Sequence, residues 1–397
     1  MSTVTRCDIA VVGGGPVGAV AALALRDAGF SVVLVERGPA PPPFDLARHD
    51  PRVYAIAPAS AQLLDRLGVW PAIAGARISP YTRMQVWERA AELGLRFDAA
   101  DSGHGALGWI VEQGLILASA WARLDGIALR VGIAASAVQL PEEDGGAVEL
   151  RLGSGETLQP RLIVAADGAD SPLRDQAGIE TTTWTYAQRA IIARVTMAAA
   201  AASTACQRFL PTGPLAFLPL AGGDHSIVWS ADLARAETLL ALDDDRFAQA
   251  LAEASQFALG EVQAVSPRLS FPLRLLHARE YHRPGLVLVG DAAHAIHPLA
   301  GQGANLGFAD VVQLVETLAS ARTAGRDWAS VRTLSAYGRA RKAANLELLA
   351  LTDGLYRGFG TTVPGLREVL GFGLEAVNRL APLKSLLATR AARGTLG

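Results

Sequence analysis

The feature that most constrains the fold of this chain is a glycine-rich turn between two short apolar segments near its N-terminus. The glycines of the turn are Gly13, Gly15 and Gly18. Segment 8–12 before the turn predicts a buried strand, and an alanine-rich helix follows the turn. A second apolar segment, 31–35, then closes with Glu36. Strand, turn, helix and strand together indicate a βαβ unit of a parallel sheet.

This βαβ unit predicts a dinucleotide site because each of its glycines has a physical role. Gly13 permits the tight turn, Gly15 lets the backbone approach a pyrophosphate, and Gly18 allows the helix to pack closely on the strand. The pyrophosphate meets the exposed N–H groups at the helix start. Glu36 follows roughly 20 residues later, where a carboxylate can accept hydrogen bonds from an adenosine ribose. The unit alone does not distinguish NAD from FAD.

Two later segments repeat the pattern of a buried strand that ends in a polar turn. Segment 162–166 leads into Asp167 and the sequence DGADSPLR, and segment 286–289 leads into Gly290-Asp291 and the sequence GDAAH. Because ligands of open α/β sheets bind at the carboxyl ends of the strands, we expect both turns to lie at the ligand site. Taken singly, each aspartate would be interpreted as a turn or capping residue. Turn or capping roles do not explain why three such sites occur in this order.

The order of the three motifs, GxGxxG, DGxxSxxR and GDAAH with a later P and GQGxN, resembles that of the FAD-dependent aromatic hydroxylases of the p-hydroxybenzoate hydroxylase type. The resemblance runs from Asp8 to about Glu347. Finer signatures resemble the ubiquinone-biosynthesis hydroxylase branch: 50–57, 80–87, 107–112, 213–220, 305–307, 337–341 and Asn345. The chain departs from that branch at three positions: Glu88 stands for the usual aspartate, Gln113 for the usual asparagine, and Ala309 where a charged residue is common.

The resemblance implies an FAD site, carried over by matched position. Its residues are Gly13, Gly15, Gly18, Glu36, Arg52, Gln113, Asp167, Gly290, Asp291, Gly303, Ala304 and Asn305. Arg52 and Gln113 are expected to reach the pyrophosphate, and Asp291 the ribityl chain. The helix start at Ala304 and Asn305 is expected to offer backbone to the isoalloxazine ring. Pro298 is expected to line the flavin face where oxygen reacts.

The predicted architecture is α/β, with a Rossmann-like FAD-binding domain interleaved with a β-sheet substrate domain and followed by a helical C-terminus. The substrate domain is expected to be β-rich because segment 191–229 combines strand-like patterns with enough apolar residues to form the floor of a pocket. The predicted segments are 1–75, 101–178 and 276–345 for FAD binding, 76–100 and 179–275 for the substrate, and 346–397 for the helical C-terminus.

The resemblance implies a monooxygenase that uses FAD, O2 and transient NAD(P)H to hydroxylate the aromatic ring of a polyprenylphenol in ubiquinone biosynthesis. A nicotinamide domain is not expected, because the chain has a single strand–glycine–helix unit. The alternatives are a hydroxylase of another phenol, a flavin reductase or halogenase of the same fold, and a non-catalytic scaffold subunit. A net charge of −2 gives no reason to expect nucleic acid, and Cys7 and Cys206 have no metal-ligand spacing.

The segment after Val363 has apolar residues at helical spacing and an excess of basic residues. Such a helix can lie on an anionic membrane surface, bind a partner enzyme of the pathway, or pack on the protein itself, and packing is the favoured interpretation. The apolar run 9–25 does not suit a signal peptide, because glycines and a proline interrupt it. We therefore expect a cytoplasmic protein, with a peripheral position on the inner face of the cell membrane as the alternative.

Overall fold

The computed structural model describes residues 4–102, 105–199, 203–295 and 303–359. The N-terminal unit is formed by strand β1 (Val4–Val12), helix α1 (Pro16–Asp27) and strand β2 (Val32–Glu36). Strands β1 and β2 pair in parallel. The alanines and leucines of α1 are buried against the sheet, and Gly29, with a positive φ of 81°, follows the end of the helix. The predicted βαβ unit is confirmed.

A mainly parallel sheet extends this unit on both sides. Its central order is β18, β19, β11, β1, β2, β8, and the hairpin of β9 and β10 pairs with β11. The added strands are β8 (Ala128–Val131), β9 (Ala135–Gln139), β10 (Glu149–Leu152), β11 (Thr157–Ala165), β18 (His282–Arg283) and β19 (Leu286–Leu288). Because β1, β11 and β19 run parallel, all three motif turns begin at one edge of the sheet.

A second sheet, largely antiparallel, forms the other half of the molecule. Its order is β20, β17, β12, β15, β14, β13, β5, β6, and β16 pairs with β12. The strands are β5 (Arg83–Trp87), β6 (Leu95–Asp98), β12 (Thr181–Met197), β13 (Thr204–Leu210), β14 (Gly213–Pro219), β15 (His225–Asp232), β16 (Val262–Val265), β17 (Leu269–Ala278) and β20 (His294–Ala295). One face of this sheet has its own apolar core, to which helices α6 (Leu233–Ala241) and α7 (Asp244–Ala254) contribute.

The remaining elements join the two halves. A small antiparallel sheet consists of β3 (Val53–Ile56), β4 (Ile78–Tyr81) and β7 (Gly108–Glu112). The other helices are α2 (Pro58–Arg66), α3 (Trp70–Ala74), α4 (Gln113–Trp121), α5 (Pro172–Gln176), α8 (Gly303–Thr323) and α9 (Val331–Phe359). Helix α8 packs between α1 and α9. The structure thus confirms the predicted α/β class, in which a nucleotide-type sheet alternates along the chain with a second sheet.

The predicted domain limits stay a prediction, although the elements fall close to them. The second sheet takes its strands from 83–98, 181–278 and 294–295. The C-terminal segment begins inside α9, and the amphipathic stretch after Val363 lies outside the described residues. Among the residues that are described, no helix is both long enough and apolar enough to cross a membrane.

Candidate functional site

In the glycine turn after β1, two glycines are required by the packing of the protein itself, and a third has free space around it. A Cβ on Gly13 would lie 2.3 Å from the carbonyl oxygen of Ala166, and one on Gly18 would lie 1.9 Å from the carbonyl oxygen of Gly13. A Cβ on Gly15 would have no described atom within 4 Å. The first two glycines therefore serve the packing of the turn. At Gly15, only a ligand gives a reason to exclude a side chain.

The N-terminus of α1 points its backbone donors toward this open position. Gly15 is the N-cap residue, and no side chain caps the helix. Glu36 lies beside the turn, where its carboxylate accepts hydrogen bonds from the N–H groups of Gly14 at 2.5 Å and Gly38 at 2.6 Å. Trp121 holds the turn from the other side by donating its indole N–H to the carbonyl of Gly14. Uncapped N–H groups at a helix start suit a pyrophosphate.

A cavity of about 980 Å³ begins at this turn and ends at the antiparallel sheet. Six of the predicted cofactor residues line it: Gly15, Arg52, Gln113, Asp291, Gly303 and Ala304. The other six, Gly13, Gly18, Glu36, Asp167, Gly290 and Asn305, are not among its lining residues. Pro298 lies outside the described residues. Three turns distant in sequence thus converge on one cavity.

The turn after β19 presents Asp291 to the cavity. Water reaches the residue through the cavity, yet most of its surroundings are protein, and this desolvation raises the pKa of the carboxyl group. The positive potential of His294 and Arg274 acts in the opposite direction. The carboxylate has no hydrogen-bond partner among the described residues. Asp291 is therefore free to accept hydrogen bonds from a ligand hydroxyl group.

The turn after β11 is fixed by Arg174, whose role the sequence did not predict. Its guanidinium is buried and donates to the carbonyl oxygens of Ala169 at 2.9 Å and Ala292 at 3.2 Å, so it ties the turns after β11 and β19 together. Asp167 lies behind the cavity, where one carboxylate oxygen accepts from the N–H of Leu173. Its other oxygen is buried without a partner in the described part of the chain, and burial raises the pKa of this group.

The antiparallel sheet forms the other end of the cavity. Its lining residues from β13, β14 and β15 are small, apolar or uncharged: Ala205, Cys206, Gln207, Ala216, Leu218, Ser226 and Val228. An ion pair joins this sheet to the nucleotide-type half, with 2.7 Å between Arg274 on β17 and Asp170 after β11. The cavity therefore has a polar end at the three motif turns and a largely apolar end at the sheet.

The donor set fits FAD. The open position at Gly15 accommodates a pyrophosphate, Arg52 can balance its charge, and the unpartnered Asp291 carboxylate can hold ribityl hydroxyl groups. Gly303 also has no described atom within 4 Å of a Cβ position, which leaves the start of α8 open to a flat ring. These features are those that the sequence predicts for the cofactor site, and they occur together on one cavity.

Comparison with known proteins agrees with this site. The family model described as "FAD binding domain" matches residues 6–352. The chain is 39% identical over 382 residues to the 3-demethoxyubiquinol 3-hydroxylase of Escherichia coli K12, covering 95% of this chain and 96% of that protein. It is 35% identical over 441 residues to the human mitochondrial ubiquinone biosynthesis monooxygenase COQ6, covering 99% and 94%. The chain belongs to this family of FAD-dependent monooxygenases.

Solved structures show the same fold. Against p-nitrophenol 4-monooxygenase PnpA of Pseudomonas putida DLL-E4 the TM-score is 0.78 at 21% identity, and 98% of each chain is covered. Against the anhydrotetracycline hydroxylase OxyS of Streptomyces rimosus the TM-score is 0.71 at 21% identity, covering 98% of this chain and 76% of the other. At these identities the likeness concerns the fold alone.

In this monooxygenase a buried polar network supports the turn that carries Asp291. Asp310 on α8 has no exposed surface, and one of its carboxylate oxygens accepts from the N–H of Gly290 at 2.9 Å and lies 2.6 Å from Nε2 of His294. Its other oxygen accepts from Nε of Arg341 on α9 at 2.7 Å. Burial alone would raise the pKa of Asp310, but His294 and Arg341 outweigh it and lower the pKa.

The network continues through residues that the sequence marked only as signatures of a branch. Arg341 donates to Oδ1 of Asn345 at 2.9 Å, and Asn345 donates to the hydroxyl group of Tyr281 at 3.1 Å. Tyr337 donates to the carbonyl of Leu288 at the end of β19. The branch signatures at 337–341 and Asn345 were the available signal. Sequence reasoning gave these residues no role because their partners lie on other elements.

Asn305 has a side-chain role that the sequence also did not predict. Its amide donates to the carbonyl of Ala55 at 2.7 Å and accepts from the N–H of Ala57 at 2.9 Å, and the residue is buried. The side chain thus holds the first turn of α8 against the end of β3. This contact fixes Ala304 at the cavity wall, where its backbone is predicted to meet the isoalloxazine ring.

Proposed function

We propose that this monooxygenase hydroxylates the aromatic ring of a polyprenylphenol intermediate of ubiquinone biosynthesis, with O2 and NAD(P)H as co-substrates. The observation that carries the proposal is the continuous cavity that joins the FAD-type turns to a largely apolar, uncharged sheet floor. The names of the E. coli and human relatives support the substrate class, because both refer to ubiquinone or its precursor. An apolar pocket end suits a neutral ring that carries a hydrocarbon tail.

Within this proposal, the predicted cofactor residues divide into those that touch FAD and those that hold the turns. The N–H groups at the start of α1, together with Arg52 and Gln113, would bind the pyrophosphate. Glu36 would exchange one of its contacts in the turn for a hydroxyl group of the adenosine ribose. Asp291 would hold the ribityl chain, and the backbone at Ala304 would face the ring. Gly13, Gly18, Asp167, Gly290 and Asn305 would act by shaping these loops.

The bound flavin supplies the reaction with O2 and the transfer of one oxygen atom to the ring. The protein must hold the ring at the flavin and keep water away from the reacting atoms. The apolar lining from β13, β14 and β15 supports the exclusion of water. We assign Asp291 to positioning and not to proton transfer, because it lies on the turn that supports the cofactor. Pro298 keeps its proposed place on the flavin face.

We propose that the nicotinamide binds transiently and without a domain of its own, since the chain has a single strand–glycine–helix unit. We further propose that removal of the basic segment after Val363 leaves FAD bound but weakens association with an anionic membrane surface, where a polyprenyl substrate would reside, or with partner enzymes. Flotation with anionic liposomes tests this by comparing the full chain with a chain that ends at Val363. Equal flotation of both would overturn the membrane proposal and favour packing on the protein or docking to partner enzymes.

The proposed activity is tested with the purified protein. A yellow protein whose NAD(P)H oxidation rises on addition of 2-prenylphenol, with a hydroxylated ring as product, is the expected result. NAD(P)H oxidation that yields only hydrogen peroxide with every phenol would contradict the hydroxylase assignment.

The natural ring is tested by expressing the gene in a quinone-deficient host and identifying the phenol that disappears. A host that still accumulates all of its phenols would overturn the ubiquinone assignment.

A further inference from the structure

The floor of the cavity contains two polar side chains that the protein leaves without partners. Gln207 on β13 is 6% exposed and Ser226 on β15 is 3% exposed, and both line the cavity. Neither side chain has a hydrogen-bond partner within the described part of the chain. Their polar atoms open onto the cavity, so water or a ligand, and not the protein, supplies their hydrogen bonds. Two such groups on one cavity floor are available to bind a ligand that displaces this water.

The sheet register fixes how these two groups are arranged. Gln207 pairs with Ala216 on β14, and Ser226 pairs with Leu218 on the same strand. The two polar residues therefore lie two strands apart, at a lateral spacing of roughly 10 Å, and in neighbouring rows of the sheet. The Ala216 side chain between them is small. Leu218 and Val228 complete this part of the floor, so the two polar groups lie at opposite corners of an otherwise apolar area.

The charges around the cavity restrict what this area can bind. Strands β13, β14 and β15 contribute no charged side chain to the described lining. Strand β17 lies two strands away from β15, and the one cation that it contributes to the described lining is Arg274, which is already paired with Asp170. A carboxylate or phosphate on the substrate ring would have no free cation from these strands. Amide and hydroxyl groups can both donate and accept, so they suit neutral ring oxygens.

We propose that Gln207 and Ser226 bind the oxygen substituents of a neutral phenolic ring and set which ring carbon faces the flavin. The inference rests on the proposed function and adds the residues that determine specificity. Each side chain would form one hydrogen bond to a hydroxyl or alkoxy oxygen of the ring. Together the two contacts would fix the rotation of the ring in its plane, which an apolar floor alone leaves free.

The test measures binding to the FAD-loaded enzyme without O2 or NAD(P)H, from the change in flavin absorbance. The probes are 2-prenylphenol and prenylbenzene, which differ only in the ring hydroxyl group. The wild-type enzyme should prefer the phenol, and the double variant Gln207→Met with Ser226→Ala should reduce that preference about 10-fold. A structural disturbance would weaken both ligands alike. Met84→Leu, an apolar change at the cavity wall, is the matched control and should keep the ratio within about twofold.

The outcomes separate this inference from the proposed function. An unchanged preference in the double variant, or no preference in the wild-type enzyme, overturns the assignment of Gln207 and Ser226. If the wild-type enzyme then still forms a hydroxylated product, the proposed function stands without them. If the double variant loses the preference but the wild-type enzyme forms no hydroxylated product, the two residues bind the phenol and the hydroxylase function is wrong. Loss of orientation should also raise the share of NAD(P)H that is consumed without product.

Discussion

The two ends of the cavity differ in how the protein supports the elements that carry their polar groups. At the cofactor end, Asp310 is fully buried, and both of its carboxylate oxygens are held by Gly290, His294 and Arg341. At the sheet end, the side chains of Gln207 and Ser226 have no partner among the described residues. The protein therefore fixes its cofactor turns with its own contacts. It leaves the polar groups that line the cavity, Asp291 at the cofactor end and Gln207 and Ser226 on the sheet floor, to bind water or a ligand.

The same contrast holds for the residues that are buried against the two sheets. The parallel sheet is covered by α1 and α8 and carries the charged network on its carboxyl edge. The covered face of the antiparallel sheet is an apolar core in which both ring nitrogens of His225 are buried, and neither has a partner in the described structure. Satisfied polar networks rigidify a site, whereas unsatisfied groups reduce stability. The four predictions that follow test this difference.

The largest effect is expected at Asp310. Asp310→Ala removes the acceptor of Gly290, His294 and Arg341, and it leaves the buried Arg341 guanidinium without its carboxylate. We expect a loss of about 3–5 kcal/mol in the free energy of unfolding, measured with urea, and little FAD in the purified protein. Asp27→Asn, which removes an exposed ion pair with Arg26, is the control and should cost less than about 1 kcal/mol. Equal losses in both variants would refute the role of the network.

The next effect concerns Gly15, where a side chain meets no described atom. Gly15→Val should leave the folded structure intact and weaken FAD by about 100-fold or more, because the valine occupies the place of the pyrophosphate and removes its charge-assisted hydrogen bonds. Circular dichroism and flavin content of the purified protein measure the two properties. Gly18→Val is the contrasting variant, since its side chain would collide with Gly13 and prevent folding. Full flavin occupancy in Gly15→Val would show that the pyrophosphate binds elsewhere.

A smaller effect is expected at Asp291. Asp291→Ala should weaken FAD by about 10-fold through the lost hydrogen bonds to the ribityl chain. Because we assign the residue to positioning, activity should fall by the same factor at every pH between 6 and 9. The alternative is that Asp291, whose pKa is raised, transfers a proton in the reaction. In that case its removal would change the shape of the pH–rate profile. Normal flavin content together with a shifted profile would identify Asp291 as a proton carrier.

The smallest effect is expected at His225 in the sheet core. Burial lowers its pKa below the ordinary 6.5, so the folded protein keeps the ring neutral while the unfolded chain takes up a proton below that pH. The contribution of His225 to stability therefore falls as the pH drops below 6.5. His225→Leu should raise the free energy of unfolding by about 1 kcal/mol at pH 5 and by less at pH 8. A destabilised His225→Leu would reveal a partner for the ring.

Much of the cofactor end could be predicted from the sequence because its determinants are local. The βαβ unit follows from the apolar segments and from Gly13, Gly15 and Gly18, which act within 30 residues of chain. The aspartate turns follow buried strands in the same way, and parallel pairing brings them to one edge. The family match added Arg52 and Gln113, whose residue types alone would not distinguish them from surface groups. Both line the cavity.

Only the tertiary structure determined the contacts between distant elements. Arg341 and Asp310 lie on different helices, and Gly290 meets Asp310 from the end of a strand. Alternation along β13 and β15 shows that one face differs from the other, but it does not show which face meets the cavity. That choice depends on the order of strands in the sheet and on the helices that cover its other side. Gln207 and Ser226 therefore became candidates only when the sheet was assembled, because hydrogen-bond satisfaction is a property of the whole fold.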